Sequence, residues 1–162
     1  THVNRNPMLY KQTIQFALQG GIIDLTCGMT GSAIPVPQAV KQALDAGVPL
    51  ERMTLSSDGN GSMPKFNENN ELIGLTAAAP RYLYEEMLSI VKAVVLPFDK
   101  ALQLITCNVA DALKLEDKGR IAVGKDADLI VWNDDLTLNK VFARSRLMVD
   151  KGQAVVKGTF EN

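Results

Sequence analysis

Two short stretches of this chain hold side chains suited to hydrolytic or metal chemistry. One is Thr1-His2-Val3-Asn4-Arg5, which contains the only histidine; the other is Leu55-Ser56-Ser57-Asp58-Gly59-Asn60-Gly61-Ser62. A neutral imidazole offers a ring nitrogen to a metal ion. A carboxylate can ligate the same ion and can accept and return a proton. The glycines behind Asp58 free the backbone and leave room for a ligand beside it. Arg5, three residues after His2, presents a planar guanidinium suited to a carboxylate, and Ser62, four after Asp58, presents a hydroxyl donor. Each has a plainer reading. A single histidine is commonly a hydrogen-bonded structural residue, an aspartate before glycine commonly stabilises its own turn, and lone arginines and loop serines are commonly solvated. Asp24, at the end of another apolar run, is a neighbouring acid to which the sequence gives no definite role.

The elements that would position these groups follow from hydrophobic spacing. Residues 3–5 read as the end of a strand, and Asn6-Pro7 opens a helix with Met8, Leu9, Ile14, Phe16, Ala17 and Leu18 as its apolar positions, stopped by Gly20-Gly21. A strand over 22–26 follows. Pro35 and Pro37 open a helix over 38–46, with Ala39, Val40, Ala43 and Leu44 inward and Gly47 capping it. A third strand, 52–57, delivers Asp58 to a long polar loop over 59–75. Strands separated by helices imply βα units and a parallel sheet. A helix over 82–94, with Leu83, Met87, Leu88 and Val91 on one side, ends before Pro97, and Asp99 caps a last helix reaching about residue 113. After Gly119 only β-rich runs remain, at 120–123, 127–132, 141–149 and 154–156, which predicts a small antiparallel module.

Composition narrows the classes. The 162 residues are 46% hydrophobic and 22% charged, ordinary values for a globular protein. A net charge of -1 gives no electrostatic reason to expect nucleic acid or an anionic membrane as partner. No apolar run approaches the length of a membrane span. Cys27 and Cys107 stand far apart with no CxxC pair, which fits reduced thiols in a cytoplasmic setting. The start at Thr1, with a candidate ligand at the second position, suggests a piece of a longer protein.

Two motif matches fail on inspection. Asp58, Asn60 and Ser62 alternate like the first ligands of a calcium loop, but Met63 and Asn69 stand where glycine and a bidentate glutamate are required. Residues 119–125 fit GxxxxGK, yet Asp126 replaces the magnesium-binding hydroxyl and the intervening Arg-Ile-Ala-Val is strand-like.

Thr1-His2-Val3-Asn4-Arg5-Asn6, Gly20-Gly21-Ile22-Ile23-Asp24-Leu25-Thr26, Leu55-Ser56-Ser57-Asp58-Gly59-Asn60-Gly61-Ser62 and Val156-Lys157-Gly158-Thr159-Phe160-Glu161 together resemble the isoaspartyl (β-aspartyl) dipeptidases of the amidohydrolase superfamily. The segment Lys118-Gly119-Arg120-Ile121-Ala122-Val123-Gly124-Lys125-Asp126-Ala127-Asp128-Leu129 resembles the entry to the β-sandwich carried by that superfamily at large. The resemblance reaches nearly the whole chain but only the C-terminal part of such an enzyme. It implies an α/β fold: the last βα units of a metal-dependent-hydrolase TIM barrel over 1–115, then the C-terminal strands of a small β-sandwich over 116–162. It implies that His2 and Asp58 are ligands in a dinuclear zinc centre. Asp58 would also shuttle the proton while a metal-activated hydroxide attacks the amide carbonyl of an isoaspartyl dipeptide. It implies that Arg5 and Ser62 hold a substrate carboxylate. The remaining histidines and a bridging carboxylated lysine would lie upstream, so the piece alone is expected to be inactive and the full-length enzyme to be a homo-oligomer. Two rivals stand beside this reading: a non-catalytic fragment or pseudo-enzyme serving as an assembly surface, and another amidohydrolase such as a dihydroorotase-like cyclic amidase.

Overall fold

A computed structural model of the chain describes residues 1–29, 33–69 and 71–158. The last residues of the 156–161 motif and part of the segment after Cys27 therefore lie outside the described residues. The chain divides into two compact units, Thr1–Leu113 and Lys114–Asn162, each described on its own terms.

The first unit carries the mixed α/β architecture that the sequence implies. Its opening differs from expectation, because Val3–Arg5 is a 3-10 turn and not a strand end; the Arg5 N–H donates to the His2 carbonyl at 3.1 Å. Asn6 then caps α1 (Pro7–Leu18), its side-chain oxygen accepting from the N–H groups of Met8 and Leu9 at 2.9 and 3.3 Å. Only part of the expected apolar stripe of α1 faces inward. Tyr10, Thr13 and Ala17, spaced three and four apart, are buried, whereas Met8, Leu9, Phe16 and Leu18 project outward from the rest of the helix. Tyr10 fixes the inner face: its hydroxyl donates to the Ala39 carbonyl of α2 (Val36–Asp45) at 2.5 Å, and burial pushes the phenol above its ordinary pKa.

Strands β1 (Ile23–Thr26) and β2 (Met53–Ser56) pair in parallel, with Ile23 opposite Met53 and Thr26 opposite Ser56. The α2 helix between them supplies Val36, Ala39, Val40 and Ala43 to the core, and a positive φ at Gly47 turns the chain back toward β2. Alternation along the strands divides their side chains between two faces. Leu25 and Leu55 meet a core built with Met53, Met87, Ile90 and Leu104, while Asp24, Thr26, Thr54 and Ser56 line the other face.

The 59–75 region is not the loop that its polarity suggested. β3 (Ser62–Phe66) and β4 (Leu72–Ala77) form an antiparallel hairpin with a bulge at Lys65/Phe66, its turn falling in the Asn- and Glu-rich stretch. Phe66, Leu72, Ile73 and Leu75 are all at least half exposed on it. The helix α3 (Tyr82–Lys92) buries Met87 and Ile90. The single final helix expected after Pro97 is two helices, α4 (Phe98–Gln103) and α5 (Cys107–Leu113); Asp99 lies in the first turn, and Pro97 occupies the cap position. The break has a cause in the sheet. The Leu104 carbonyl accepts from the Leu55 N–H of β2 at 3.0 Å, and the Asn108 side chain donates to the carbonyls of Leu50 and Met53, so this segment completes the outer side of β2.

The second unit is an antiparallel meander of β5 (Leu129–Trp132), β6 (Leu138–Ala143), β7 (Arg146–Asp150) and β8 (Gln153–Ala154). The expected run over 141–149 is in fact a hairpin, turned by Arg144 and Ser145, both with positive φ as a tight two-residue hairpin requires. Residues 120–123 form no strand. Their neighbourhood is held by charge: Lys118 pairs with Asp126 at 2.7 Å and with Asp128, and the Arg144 N–H donates to the Asp128 carboxylate at 2.7 Å. That lysine and that backbone donor keep the Asp128 carboxyl below its ordinary pKa. Among the described residues no helix is long and apolar enough to cross a membrane.

Candidate active site

At the carboxyl ends of β1 and β2 the chain brings His2 and Asp58 together. His2 Nε2 lies 3.9 Å from Asp58 Oδ2, each side chain a little over one-third exposed (35% and 38%). Two residues past the end of β2, Asp58 adopts a left-handed backbone with φ 49°. The turn beyond it is tight: the Gly61 N–H donates to the Asp58 carbonyl at 2.8 Å, and a Cβ on Gly61 would sit 2.8 Å from that oxygen and 2.9 Å from Asp58 Oδ1. Glycine is required there by the closeness of the aspartate, whose carboxylate occupies the space that a side chain would fill.

A buried polar scaffold lies beneath the pair. His2 Nδ1 is 2.9 Å from the hydroxyl of Thr26, the last residue of β1, which is fully buried. Asn4, 1% exposed, accepts from the Thr26 N–H at 2.9 Å and donates to the carbonyls of Thr26 and Ile34 at 3.1 and 3.2 Å. Ile34 returns the contact, its N–H donating to the Asn4 carbonyl at 2.8 Å. One level lower, Asp24 bridges the two strands by accepting from Thr54 Oγ at 2.9 Å and Ser56 Oγ at 2.6 Å. Beside this ladder, Cys27 is fully buried, and burial, with help from Glu86 and Asp24, pushes its thiol up to about 12.

Of the residues singled out from sequence, His2 and Asp58 converge on one opening. Arg5 is exposed at the end of the 3-10 turn and makes no ion pair among the described residues; Ser62 is exposed at the start of β3. Neither reaches the His2–Asp58 pair in this structure. Asp24 is a strut between strands, away from the opening. Asn4 and Thr26 were not singled out: Asn4 stands among other polar residues, and Thr26 closes a mostly apolar run. Glu86 was missed as well: it leaves α3 to accept from the Gly28 N–H at 3.4 Å, a contact made from 58 positions away with no sequence motif to mark it.

The donor set fits part of a metal site. Two ligands on one tetrahedral ion with bonds near 2.0–2.1 Å stand about 3.3 Å apart, so the 3.9 Å separation closes onto an ion with a small side-chain movement. The nitrogen facing Asp58 is the one not occupied by Thr26. No group of three or more His, Cys, Asp or Glu side chains suited to a metal occurs among the described residues, so His2 and Asp58 contribute two ligands and no more.

The Amidohydrolase family matches residues 34–161, most of the chain, including Asp58. This chain belongs to the amidohydrolase family. A β-aspartyl dipeptidase from Fervidobacterium islandicum AW-1, solved with a β-Asp-Leu dipeptide, has the same fold as this amidohydrolase chain with a TM-score of 0.81 at 30% identity, over 98% of this chain and 41% of its own. A second structure of a β-aspartyl dipeptidase from that organism gives 0.78 at 26% identity, over 98% and 39%. An adenine deaminase of Geobacillus kaustophilus is 42% identical over 57 residues, which are 34% of this chain and 10% of the deaminase. The chain thus spans about two-fifths of the solved dipeptidases and a tenth of that deaminase.

Proposed function

We propose that this chain is the C-terminal part of a zinc-dependent dipeptidase that hydrolyses β-aspartyl (isoaspartyl) dipeptides. The observation that carries the reading is the approach of His2 Nε2 to Asp58 Oδ2, 3.9 Å apart at the carboxyl ends of parallel strands, in a chain whose fold follows a β-aspartyl dipeptidase over 98% of its length. His2 and Asp58 hold zinc between them, and the other ligands of a dinuclear centre come from parts of the protein before Thr1. Bound zinc supplies Lewis acidity toward the amide carbonyl and makes an attacking water acidic enough to react near neutral pH.

The chain's own residues do the rest. Asp58 takes the proton released as the new C–O bond forms and hands it to the departing amine as the amide C–N bond breaks, leaving aspartate and a free amino acid. The guanidinium of Arg5 and the hydroxyl of Ser62, both exposed, pair with a substrate carboxylate. The buried strut of Asp24, Thr54 and Ser56 keeps the two strand ends in register. With two ligands where two ions need more, the 162-residue chain by itself is inactive, and the whole enzyme is a cytoplasmic homo-oligomer.

The test uses the full-length protein and three substrates: β-Asp-Leu, α-Asp-Leu and adenine. Adenine is included because the 57-residue likeness to an adenine deaminase favours, as a second reading, an amidohydrolase of different substrate. Preferential cleavage of β-Asp-Leu is expected, and Asp58→Asn should lower it by at least about a hundredfold while leaving the circular dichroism unchanged. Equal cleavage of the α-linked peptide, or deamination of adenine alone, removes the dipeptidase assignment.

A further inference from the structure

We propose that Thr26 is a positioning residue for His2, its hydroxyl holding the imidazole so that Nε2 presents a free lone pair toward Asp58. This rests on the reading of His2 and Asp58 as zinc ligands. His2 needs such a support, because it caps the start of a single 3-10 turn with a left-handed backbone and its side chain is about one-third exposed. Thr26 is the reverse. It is fully buried, β-branched and therefore stiff about χ1, and Asn4 grips both its N–H and its carbonyl at 2.9 and 3.1 Å.

The neutral imidazole carries one proton, and the neighbours decide where it sits. With Nδ1 2.9 Å from Thr26 Oγ1, a proton on Nδ1 has an acceptor at good hydrogen-bond distance. With the proton on Nε2, the Thr26 hydroxyl donates to Nδ1 instead, so the 2.9 Å contact holds the ring in either tautomer. The first tautomer is the one that leaves Nε2 able to ligate, so a ring bound through Nε2 carries its proton on Nδ1 with Thr26 Oγ1 as acceptor. A ligating histidine ordinarily donates its other ring N–H in this way, and loss of that acceptor weakens metal binding by about 10- to 100-fold.

The experiment uses the zinc-depleted full-length protein, with zinc affinity measured by competition against a chromophoric chelator and the His2 ring nitrogens followed by 15N NMR, assigned by difference from His2→Asn. Thr26→Val keeps the side-chain shape and removes the acceptor; Thr26→Ser keeps the acceptor. Zinc affinity should fall about 10- to 100-fold in Thr26→Val, stay close to wild type in Thr26→Ser, and fall further in His2→Asn. In the zinc-loaded wild type the ring should carry its proton on Nδ1, hydrogen-bonded to Thr26, and that hydrogen bond should be lost in Thr26→Val. If Thr26→Val binds zinc as wild type while His2→Asn does not, the positioning role is overturned and the zinc reading stands. If His2→Asn also binds zinc as wild type, both fall. Should Thr26→Val fail to fold, the wild-type spectrum still decides, since an Nδ1–H that makes no hydrogen bond in the zinc-loaded protein overturns the proposal.

Discussion

Replacing Asn4 tests the scaffold under the active site, because alanine and aspartate should both destabilise it but with different pH dependence. Asn4→Ala removes three hydrogen bonds: one accepted from the Thr26 N–H at 2.9 Å and two donated to the carbonyls of Thr26 and Ile34 at 3.1 and 3.2 Å. At about 1 kcal/mol net for each, the loss is about 3 kcal/mol, a little over two powers of ten in the local opening constant. The Thr26 N–H, stranded without an acceptor in a buried place, makes that a lower bound. Asn4→Asp keeps the acceptor for Thr26 but turns an oxygen toward both carbonyls. The introduced carboxyl then favours its protonated form, which can donate to one of them, so its pKa in the folded state is raised above the ordinary value of about 3.9. The sign follows: the aspartate variant is nearest wild type below about pH 4 and loses ground as pH rises, whereas the alanine deficit is flat with pH. Amide hydrogen exchange at Thr26 in the full-length protein, corrected for intrinsic rates, reads this directly, with the Leu55 amide as an internal control because it bonds to Leu104 elsewhere. Wild-type protection of Thr26 in Asn4→Ala, or a pH-independent deficit in Asn4→Asp, refutes the scaffold.

The remaining predictions concern the opening and the core beside it. Gly61→Ala places a methyl 2.8 Å from the Asp58 carbonyl and 2.9 Å from Oδ1, so the aspartate must shift; hydrolysis of β-Asp-Leu should fall by roughly a hundredfold with the circular dichroism intact, and wild-type turnover counts against the role of this turn. Cys27 should resist alkylation at pH 8 while half-buried Cys107 reacts, until denaturant exposes both. Its thiol is raised from 9.0 to about 12 in the folded state, so it contributes stability below pH 9 that is lost as pH climbs through that window. Cys27→Ala should show a flatter alkaline unfolding profile, and an unchanged profile would contradict the burial argument.

How much of this was readable from the letters alone depends on the range of the forces involved. The α1, α2 and α3 helices and the parallel strands announce themselves through proline, glycine and local spacing, and the structure places them within a few residues of expectation. The β3–β4 hairpin was masked by composition: its turn is rich in Asn and Glu, and Met63 is buried while Phe66, Leu72, Ile73 and Leu75 are exposed, so its inward face is too sparse to generate a strand-like signal. The break between α4 and α5 is caused by a carbonyl that bonds to β2, about fifty positions earlier, which local propensity cannot register. The inward face of α1 was misjudged because a tyrosine hydroxyl and a threonine belong to the buried side while four larger apolar residues do not. At the site, residue type marked His2 and Asp58. Asn4 and Thr26 act through contacts at separations of 22 to 30 positions, and their importance lies in saturation of backbone groups, which leaves no pattern along the chain.

The grip of Asn4 on Thr26 and Ile34 has an evolutionary corollary. These two residues stand eight positions apart in the chain, and one amide clasps both. Sequence inserted or deleted between them is thereby uncoupled from the floor, since the clasp holds whatever length spans it. A lineage can thus experiment with what it recognises while inheriting its reactive groups unaltered, which suits a scaffold found in both peptide-cleaving and base-deaminating relatives.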